Sequence, residues 1–317
     1  MRKLLVTTAP HIHEKISTAK LMGQVCIACL PALIASCLIF GWESLFLTAV
    51  SAAACVGFEA LWNIIMKKEQ TVGDLSAVVT GILLAFNVPV DFPVWMLIIG
   101  DLIAIIIVKQ LFGGIGFNFA NPAIVARIVL ALSFTTEMTA YRYPDVGIDA
   151  LASATPLAAA DKMFSTPVVE LLLGTHGGVL GETCAVALLL GGLYLIFSGT
   201  ISAVIPVSTL ATVAVMCLVC GRPDEILLQL LSGGLLLGAF FMATDYVTSP
   251  YTSWGKLIYG VGIGVITCLI RFYGTAPEGM SYAILLMNIV TPYINRGIRQ
   301  RPLGVKRQPR KKEGKPA

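Results

Sequence analysis

The chain has 317 residues, 56% of them hydrophobic and only 13% charged, with a mean hydropathy of +0.84. About a quarter of the residues in a soluble domain are charged, so this composition excludes disordered, coiled-coil, collagen-like and disulfide-framework classes and leaves a polytopic membrane protein. The formal net charge of +4 is unevenly spread: residues 296–317 hold nine Lys/Arg against one Glu, a balance of +8, and the other 295 residues carry a balance of −4.

The first 20 residues contain Arg2, Lys3, His11, His13, Glu14, Lys15 and Lys20, and no apolar stretch of the kind a cleavable signal peptide needs. The two histidines there read as solvated. Ten apolar stretches follow, at 21–40, 44–66, 75–88, 94–111, 122–138, 182–198, 200–220, 226–244, 257–272 and 280–296. A bilayer core needs about 20 apolar residues as helix, so these ten are predicted to be membrane helices. The third is short and follows the polar turn Gln70-Thr71-Val72-Gly73-Asp74, the kind of interruption that marks broken helices around a site. The run Phe112-Gly113-Gly114-Ile115-Gly116-Phe117-Asn118-Phe119-Ala120-Asn121-Pro122 is too polar and glycine-rich for lipid, and is expected to be a buried or re-entrant loop.

Lys/Arg asymmetry orients the helices. Ten crossings with a cytoplasmic N-terminus put 17 basic residues inside, Lys109 and Lys256 among them, and four outside, namely Arg142, Lys162, Arg222 and Arg271. Arg127 falls within a span. Both termini are then cytoplasmic, and the segment 139–181 is extracytoplasmic. The pattern of helix, polar break, helix, Gly/Pro loop and helix over 81–129 recurs over 238–290. Five spans per half is odd, which implies two five-helix inverted-topology repeats with broken or re-entrant segments. The expected organisation is a cytoplasmic N-terminus (1–20), a first five-helix half (21–138), an extracytoplasmic loop (139–181), a second five-helix half (182–296) and a basic cytoplasmic tail (297–317). That tail reads as a positive-inside anchor rather than a nucleic-acid arm.

All eight cysteines lie in apolar runs, and two pairs, Cys26/Cys29 and Cys217/Cys220, have C-x-x-C spacing. On a helix each pair shares a face. Both readings, a soft-metal or cluster ligand pair and small apolar packing residues, fit that spacing. Glu59, Asp101, Arg127 and Glu182 sit in or beside apolar runs. A charge there marks either a functional site or a structural pair, and Arg127 with Asp101 or Glu59 is the expected pair. Asp245 stands at the second-half break, where freed carbonyls could coordinate a cation. Glu59, Asp101 and Asp245 are therefore the ion-path candidates. No catalytic or metal-ligating residue is assigned. His176, alone in a glycine-rich loop, is weak evidence for any ligand.

The longest non-spanning segment contains Asp149-Ala150-Leu151-Ala152-Ser153-Ala154-Thr155-Pro156-Leu157. The hydroxyl of Thr155, flanked by small residues, is open to esterification by an enzyme. The same string also reads as an ordinary loop whose Pro156 opens a helix. With Phe241-Met242-Ala243-Thr244-Asp245, the glycine run at 113–116 and Pro277-Glu278-Gly279-Met280, it resembles a known family over residues 21–295. This is the NqrB/RnfD family, membrane components of the sodium-pumping NADH:quinone reductase and of the ion-translocating Rnf electron-transport complex. The short stretch before the first span favours the Rnf branch.

The resemblance implies several properties. Thr155 would carry FMN through a phosphoester, with Ser153 and Ala154 as motif neighbours, installed outside the cytoplasm by a flavin transferase. Ser153 stands where glycine is usual, and Ala152 where Ser or Thr is usual. The chain would be a component of a ferredoxin:NAD⁺ oxidoreductase translocase moving Na⁺ or H⁺ across a bacterial or archaeal cell membrane. Its partners would be the Rnf membrane proteins RnfA, RnfE and RnfG and the peripheral RnfB and RnfC, and a non-covalent riboflavin is possible. The alternatives are the quinone-reductase component NqrB, a flavin-free solute permease, in which broken helices and intramembrane acids are equally at home, and a structural membrane scaffold.

Overall fold

A computed structural model of the chain describes residues 17–142, 168–174, 176–274 and 278–298. The regular structure described is helical. In order the helices are α1 (Thr18–Phe40), α2 (Trp42–Ile65), α3 (Ser76–Ala85), α4 (Val94–Leu102, continued by a π-helix Ile103–Gln110), α5 (Pro122–Ser133), α6 (Thr135–Met138) and α7 (Val168–Leu173). They continue with α8 (Ala185–Phe197), α9 (Val204–Val219), α10 (Ile226–Leu231), α11 (Leu235–Leu237, continued by a π-helix Gly238–Met242), α12 (Ser253–Tyr273) and α13 (Met280–Gly297). Every one of the ten apolar stretches is a helix or a broken helix. Among the described residues, α1, α2 and α12 are long and apolar enough to cross a membrane alone, and the bent pair 223–231 and 235–242 has the length and composition of a broken span or a re-entrant loop.

Local chemistry sets the helix ends. Ser17 caps α1 by accepting from the Lys20 amide, and Thr252 caps α12 by accepting from Gly255. Asn121 caps α5, with Pro122 in the first-turn position that needs no N–H donor. The stretch 226–244 is not one straight helix. It bends by 64° at Ser232-Gly233-Gly234, where both glycines have positive φ (68° and 65°).

The helix ends collect on two faces. On one, Arg142 bridges Glu43 (2.9 Å) and Asp91 (2.7 Å), and the Leu180 and Gly181 amides donate to the Val88 and Phe86 carbonyls. On the opposite face the Thr200 hydroxyl donates to Gln24, the Thr200 carbonyl accepts from Tyr246, and Tyr251 donates to the Asn295 carbonyl. The two halves meet through like elements, α1 against α8 and α5 against α13.

The α1–α8 contact is backbone-close. A Cβ on Gly191 of α8 would collide with the Ala28 carbonyl oxygen of α1 and stand 2.9 Å from the Phe241 ring. Gly191→Val should therefore wedge the halves apart and lower stability by about 1–3 kcal/mol or more. Gly57→Ala on α2, with nothing within 4 Å, should stay within about 1 kcal/mol of the parent. Thermal unfolding of both variants in detergent checks this, and equal midpoints would refute the close-packing argument.

Much of the outer surface is apolar. Ile27, Leu30, Ile34 and Leu38 form an exposed stripe on α1, and Trp42, Trp254, Tyr273 and Tyr293 are exposed at helix ends. An apolar exterior with aromatic residues at the helix ends suits a lipid environment. The segment 112–122, expected to be a buried or re-entrant loop, is buried only in part. Phe112, Phe117 and Phe119 are exposed, and only Ala120 and Asn121 at its end are buried. Positive φ at Gly113, Gly114 and Gly116 turns the chain back on itself at the surface.

Candidate functional site

Two buried charge clusters and two cavities organise the interior. The first cluster joins α2 to the π-helix after α4. Lys109 Nζ donates to Glu59 Oε2 (2.9 Å), Glu59 Oε1 (3.1 Å) and Ser76 Oγ (2.6 Å). Gln110 Nε2 and Thr71 Oγ1 also donate to Glu59, at 3.0 and 2.7 Å. Both charged side chains are at most 4% exposed. Lys109 is thus not the loop charge that its place at the end of an apolar stretch suggests. It neutralises Glu59, which answers the need of any intramembrane acid for a partner.

Breaking such a pair from one side leaves an uncompensated buried charge. Lys109→Met should destabilise the chain by about 3–5 kcal/mol, and adding Glu59→Gln should restore most of the loss. Thermal unfolding of the two variants tests this, and a double variant no more stable than Lys109→Met would sink the ion-pair account.

The second cluster lies between the halves. Arg127 of α5 is ion-paired with Glu278, meets Glu182 at 3.3 Å, and donates to Ser281 of α13 at 2.6 Å. Tyr141 donates to the other Glu278 oxygen at 3.4 Å. The expected pairing of Arg127 with Asp101 or Glu59 is corrected. The structure gives it two acids distant in sequence, because α5 packs on α13. Glu182 in turn sits over Gly234, where a Cβ would strike its carboxylate. Arg271, also expected at a loop end, is buried and caps the broken helix. Its guanidinium donates to the Gln229, Ser232 and Gly233 carbonyls at 2.6–3.0 Å, which satisfies carbonyls left open at the end of α10.

Asp101 lies on α4, wholly buried, with Ser51 Oγ 2.6 Å and Cys55 Sγ 3.2 Å from its Oδ1. Asp245 accepts from Thr248 (3.1 Å) at the break before α12. The three ion-path candidates therefore do not converge. Glu59 and Asp101 share the interface of α2 with α4 and its π-helical continuation, and Asp245 belongs to the other half. His176 is buried with its ring 3.4 Å from the Glu170 carbonyl.

The first cavity, of about 330 Å³, opens on the face carrying Thr200 and Tyr246. Its walls include Lys109, Gly116, Asn118, Asn121, Thr244 and Asp245. It thus joins the glycine loop of the first half to the Phe241–Asp245 break of the second, and Asn121 Nδ2 donates to the Met242 carbonyl across that join. The second cavity, of about 420 Å³, opens on the opposite face and is walled by Arg127, Tyr141, Glu278, Ser281 and Tyr282. Thr155, with its neighbours Ser153 and Ala154, lies outside the described residues, as do His11, His13 and most of the basic tail. Tyr141 of the second cavity stands two residues before that stretch, 143–167, begins.

Sequence reasoning misses Lys109, Glu278 and Arg271 as members of buried clusters. A signal exists for the first: Lys109 falls eight residues after Asp101 in one apolar run, on the same side of the helix.

Residues 5–304 match the model of the NQR2, RnfD, RnfE family. The chain is 48% identical to the D component of the Na⁺-translocating ferredoxin:NAD⁺ oxidoreductase complex of Acetobacterium woodii, over 95% of this chain and 96% of that one. It is 37% identical to the D component of the proton-translocating ferredoxin:NAD⁺ oxidoreductase complex of Clostridium ljungdahlii, with the same coverage. Identity to the D component of the ion-translocating oxidoreductase complex of Erwinia tasmaniensis is 34%, over 92% of this chain and 95% of that one. With motifs, helices and relatives in agreement over nearly its whole length, the chain belongs to the NQR2, RnfD, RnfE family.

Proposed function

We propose that this chain is the RnfD-type membrane component of an Rnf complex, which passes electrons between ferredoxin and NAD⁺ and couples that transfer to Na⁺ or H⁺ movement. The observation that carries the reading is end-to-end similarity to the D components of such complexes in Acetobacterium and Clostridium. On this reading it is a multi-pass protein of a bacterial or archaeal cell membrane with ten crossings and cytoplasmic termini. It works with RnfA, RnfE and RnfG in the membrane and with RnfB and RnfC at the surface. The like-with-like contacts of α1 with α8 and α5 with α13 support an inverted repeat.

The covalent group on this reading is FMN, joined to Thr155 as a phosphoester by a flavin transferase. When bound, the flavin relays electrons between the carriers of partner proteins. The second cavity supports the assignment, since it opens on the face where Tyr141 precedes the Thr155 segment. There Arg127, Tyr141 and Tyr282 offer a buried cation for the polar edge of a planar ring and two phenols for its face. On the same reading a second, non-covalent flavin such as riboflavin would occupy the first cavity. That cavity has the volume of a small-ligand site, glycine backbone at Gly116 for close approach, and Asn118, Thr80 and Tyr246 for the polar edge of a ring.

Mass spectrometry of the peptide containing Thr155, from chain expressed with the transferase, tests the reading. The expected result is the mass increase of an FMN phosphoester on that threonine. An unmodified peptide from a chain that transports a solute alone would identify a flavin-free permease instead.

A further inference from the structure

The buried acids are not treated alike. Glu59 is neutralised by Lys109, and Glu182 and Glu278 by Arg127. Asp101 is 0% exposed, and among the described residues no cation stands within ion-pair distance of it. Its Oδ2 has no hydrogen-bond partner among them either.

Proton counting favours a protonated form of its other oxygen. Ser51 Oγ lies 2.6 Å from Asp101 Oδ1 and 2.9 Å from the Gly81 carbonyl oxygen. A serine hydroxyl has one proton and a carbonyl has none. Each contact has a proton of its own when Ser51 donates to Gly81 and a protonated Asp101 donates to Ser51; with an ionised Asp101 the two acceptors share the single Ser51 proton. An ionised Asp101 would be a lone charge in an apolar interior, held by one hydroxyl and one weak thiol donor. A hard cation is a poor occupant. Such ions gather several oxygen ligands, whereas the third neighbour here is the Cys55 sulfur. The walls are also shut: a Cβ on Gly100 would meet Leu130 at 2.6 Å, and one on Gly81 would meet Ala52 at 2.7 Å.

A polar file leads to this carboxyl. Ser51, Cys55, Glu59 and Asn63 follow at four-residue steps on one face of α2, and all are buried. They cover about 18 Å along the helix, more than half of a hydrocarbon core of about 30 Å. At the exposed end of the file Thr71 donates to Glu59 and accepts from Asn63. Beyond Ser51 the buried side of α2 carries Leu47 and the hydroxyls of Thr48 and Ser44, which donate to the Ser44 and Gly41 carbonyls. The titratable and charged groups around Asp101 are Cys55 and Glu59 on α2 and Lys109 on its own helix. The neighbouring faces of α3 carry Ser76 and Thr80, and Arg127 on α5 is engaged with Glu182 and Glu278.

We propose that Asp101 is a proton-binding site inside the membrane, reached through the α2 file from its Thr71 end. Its use in transport rests on the ion-translocating reading given above; its existence does not. On unloading, the Asp101 proton leaves along this file to water at the exposed Thr71 end, and Asp101 is left as a carboxylate. Ser51 then turns its hydroxyl from Gly81 to the new Asp101 carboxylate. One proton moves, and no electron changes hands.

Infrared difference spectra of the full chain in lipid nanodiscs, in H₂O and D₂O, test the proposal. The expected result is a protonated-carboxyl C=O band that shifts on deuteration and is lost in the near-isosteric Asp101→Asn. Ser51→Ala should keep the band and move it to higher frequency, since its hydrogen-bond acceptor is gone, a response that mere misfolding would not give. An Asp101→Asn spectrum identical to the parent overturns the proposal. So does bleaching of the band by Na⁺ at constant pH, which would make the site a cation site. In the assembled complex, Asp101→Asn should lose ion movement while electron transfer continues. A parent complex that moves no ions, with the Asp101 band present, would defeat the transport reading and leave the proton site standing.

Discussion

Thr155→Ala, expressed with the flavin transferase, should run on a denaturing gel as a band that is dark under ultraviolet light, where the parent band fluoresces. A covalent flavin survives denaturation and a non-covalent one does not, so the gel reads the linkage alone. Alanine at 155 removes the only atom of that side chain able to form the phosphoester, so the expected loss is complete rather than graded. Ser153→Ala is the control. It keeps the open, small-residue surroundings of Thr155, and its band should stay bright. A bright Thr155→Ala band would place the flavin on another residue and remove the link between the segment 139–181 and electron transfer.

Arg127→Leu should be the most damaging substitution in the described interior. The guanidinium is buried, pairs with Glu278 and Glu182, and donates to Ser281. Leucine fills part of its volume but leaves two carboxylates buried without a cation. Breaking one buried pair from one side costs about 3–5 kcal/mol, and here a single change strands two acids. Those acids join α5, α13 and the Gly233–Gly234 bend, so the loss also loosens the contact between the halves. Thermal unfolding in detergent should show a large fall for Arg127→Leu. Combining it with Glu182→Gln and Glu278→Gln should recover much of that fall. An Arg127→Leu chain as stable as the parent would show that the cluster is not what joins the halves. If Arg127 also contacts the flavin, the triple variant should regain stability and still bind flavin poorly, which separates the two roles.

Much of this architecture is legible in the order of residues. Ten apolar stretches are ten helices or broken helices because a run of apolar side chains in lipid must satisfy its own backbone bonds. The short third stretch is visible because Gln70–Asp74 interrupts it, and Pro122 after Asn121 marks the start of α5. The bend at Ser232–Gly234 is hidden because its flanks are apolar, so hydropathy passes over it. The orientation of the loop at 112–122 is hidden for a similar reason. Its composition says that lipid is unsuitable, but not whether its aromatic side chains point inward or outward.

The buried charges divide along the same line. The sequence by itself shows that Glu59, Asp101, Arg127 and Glu182 sit where a charge is costly, and motif order marks Thr155 as the flavin acceptor to test. It does not show which acid faces which base. Pairing depends on helix–helix contacts between residues 50 to 151 positions apart, as in Lys109 with Glu59 and Arg127 with Glu278. Only the tertiary structure decides that Lys109 and Arg271, placed by hydropathy at helix ends, turn inward, and that among the described residues Asp101 lacks the cation that Glu59, Glu182 and Glu278 each have. The physical reason is that hydropathy is a property of one stretch of chain, whereas neutralising a buried charge requires two stretches to meet.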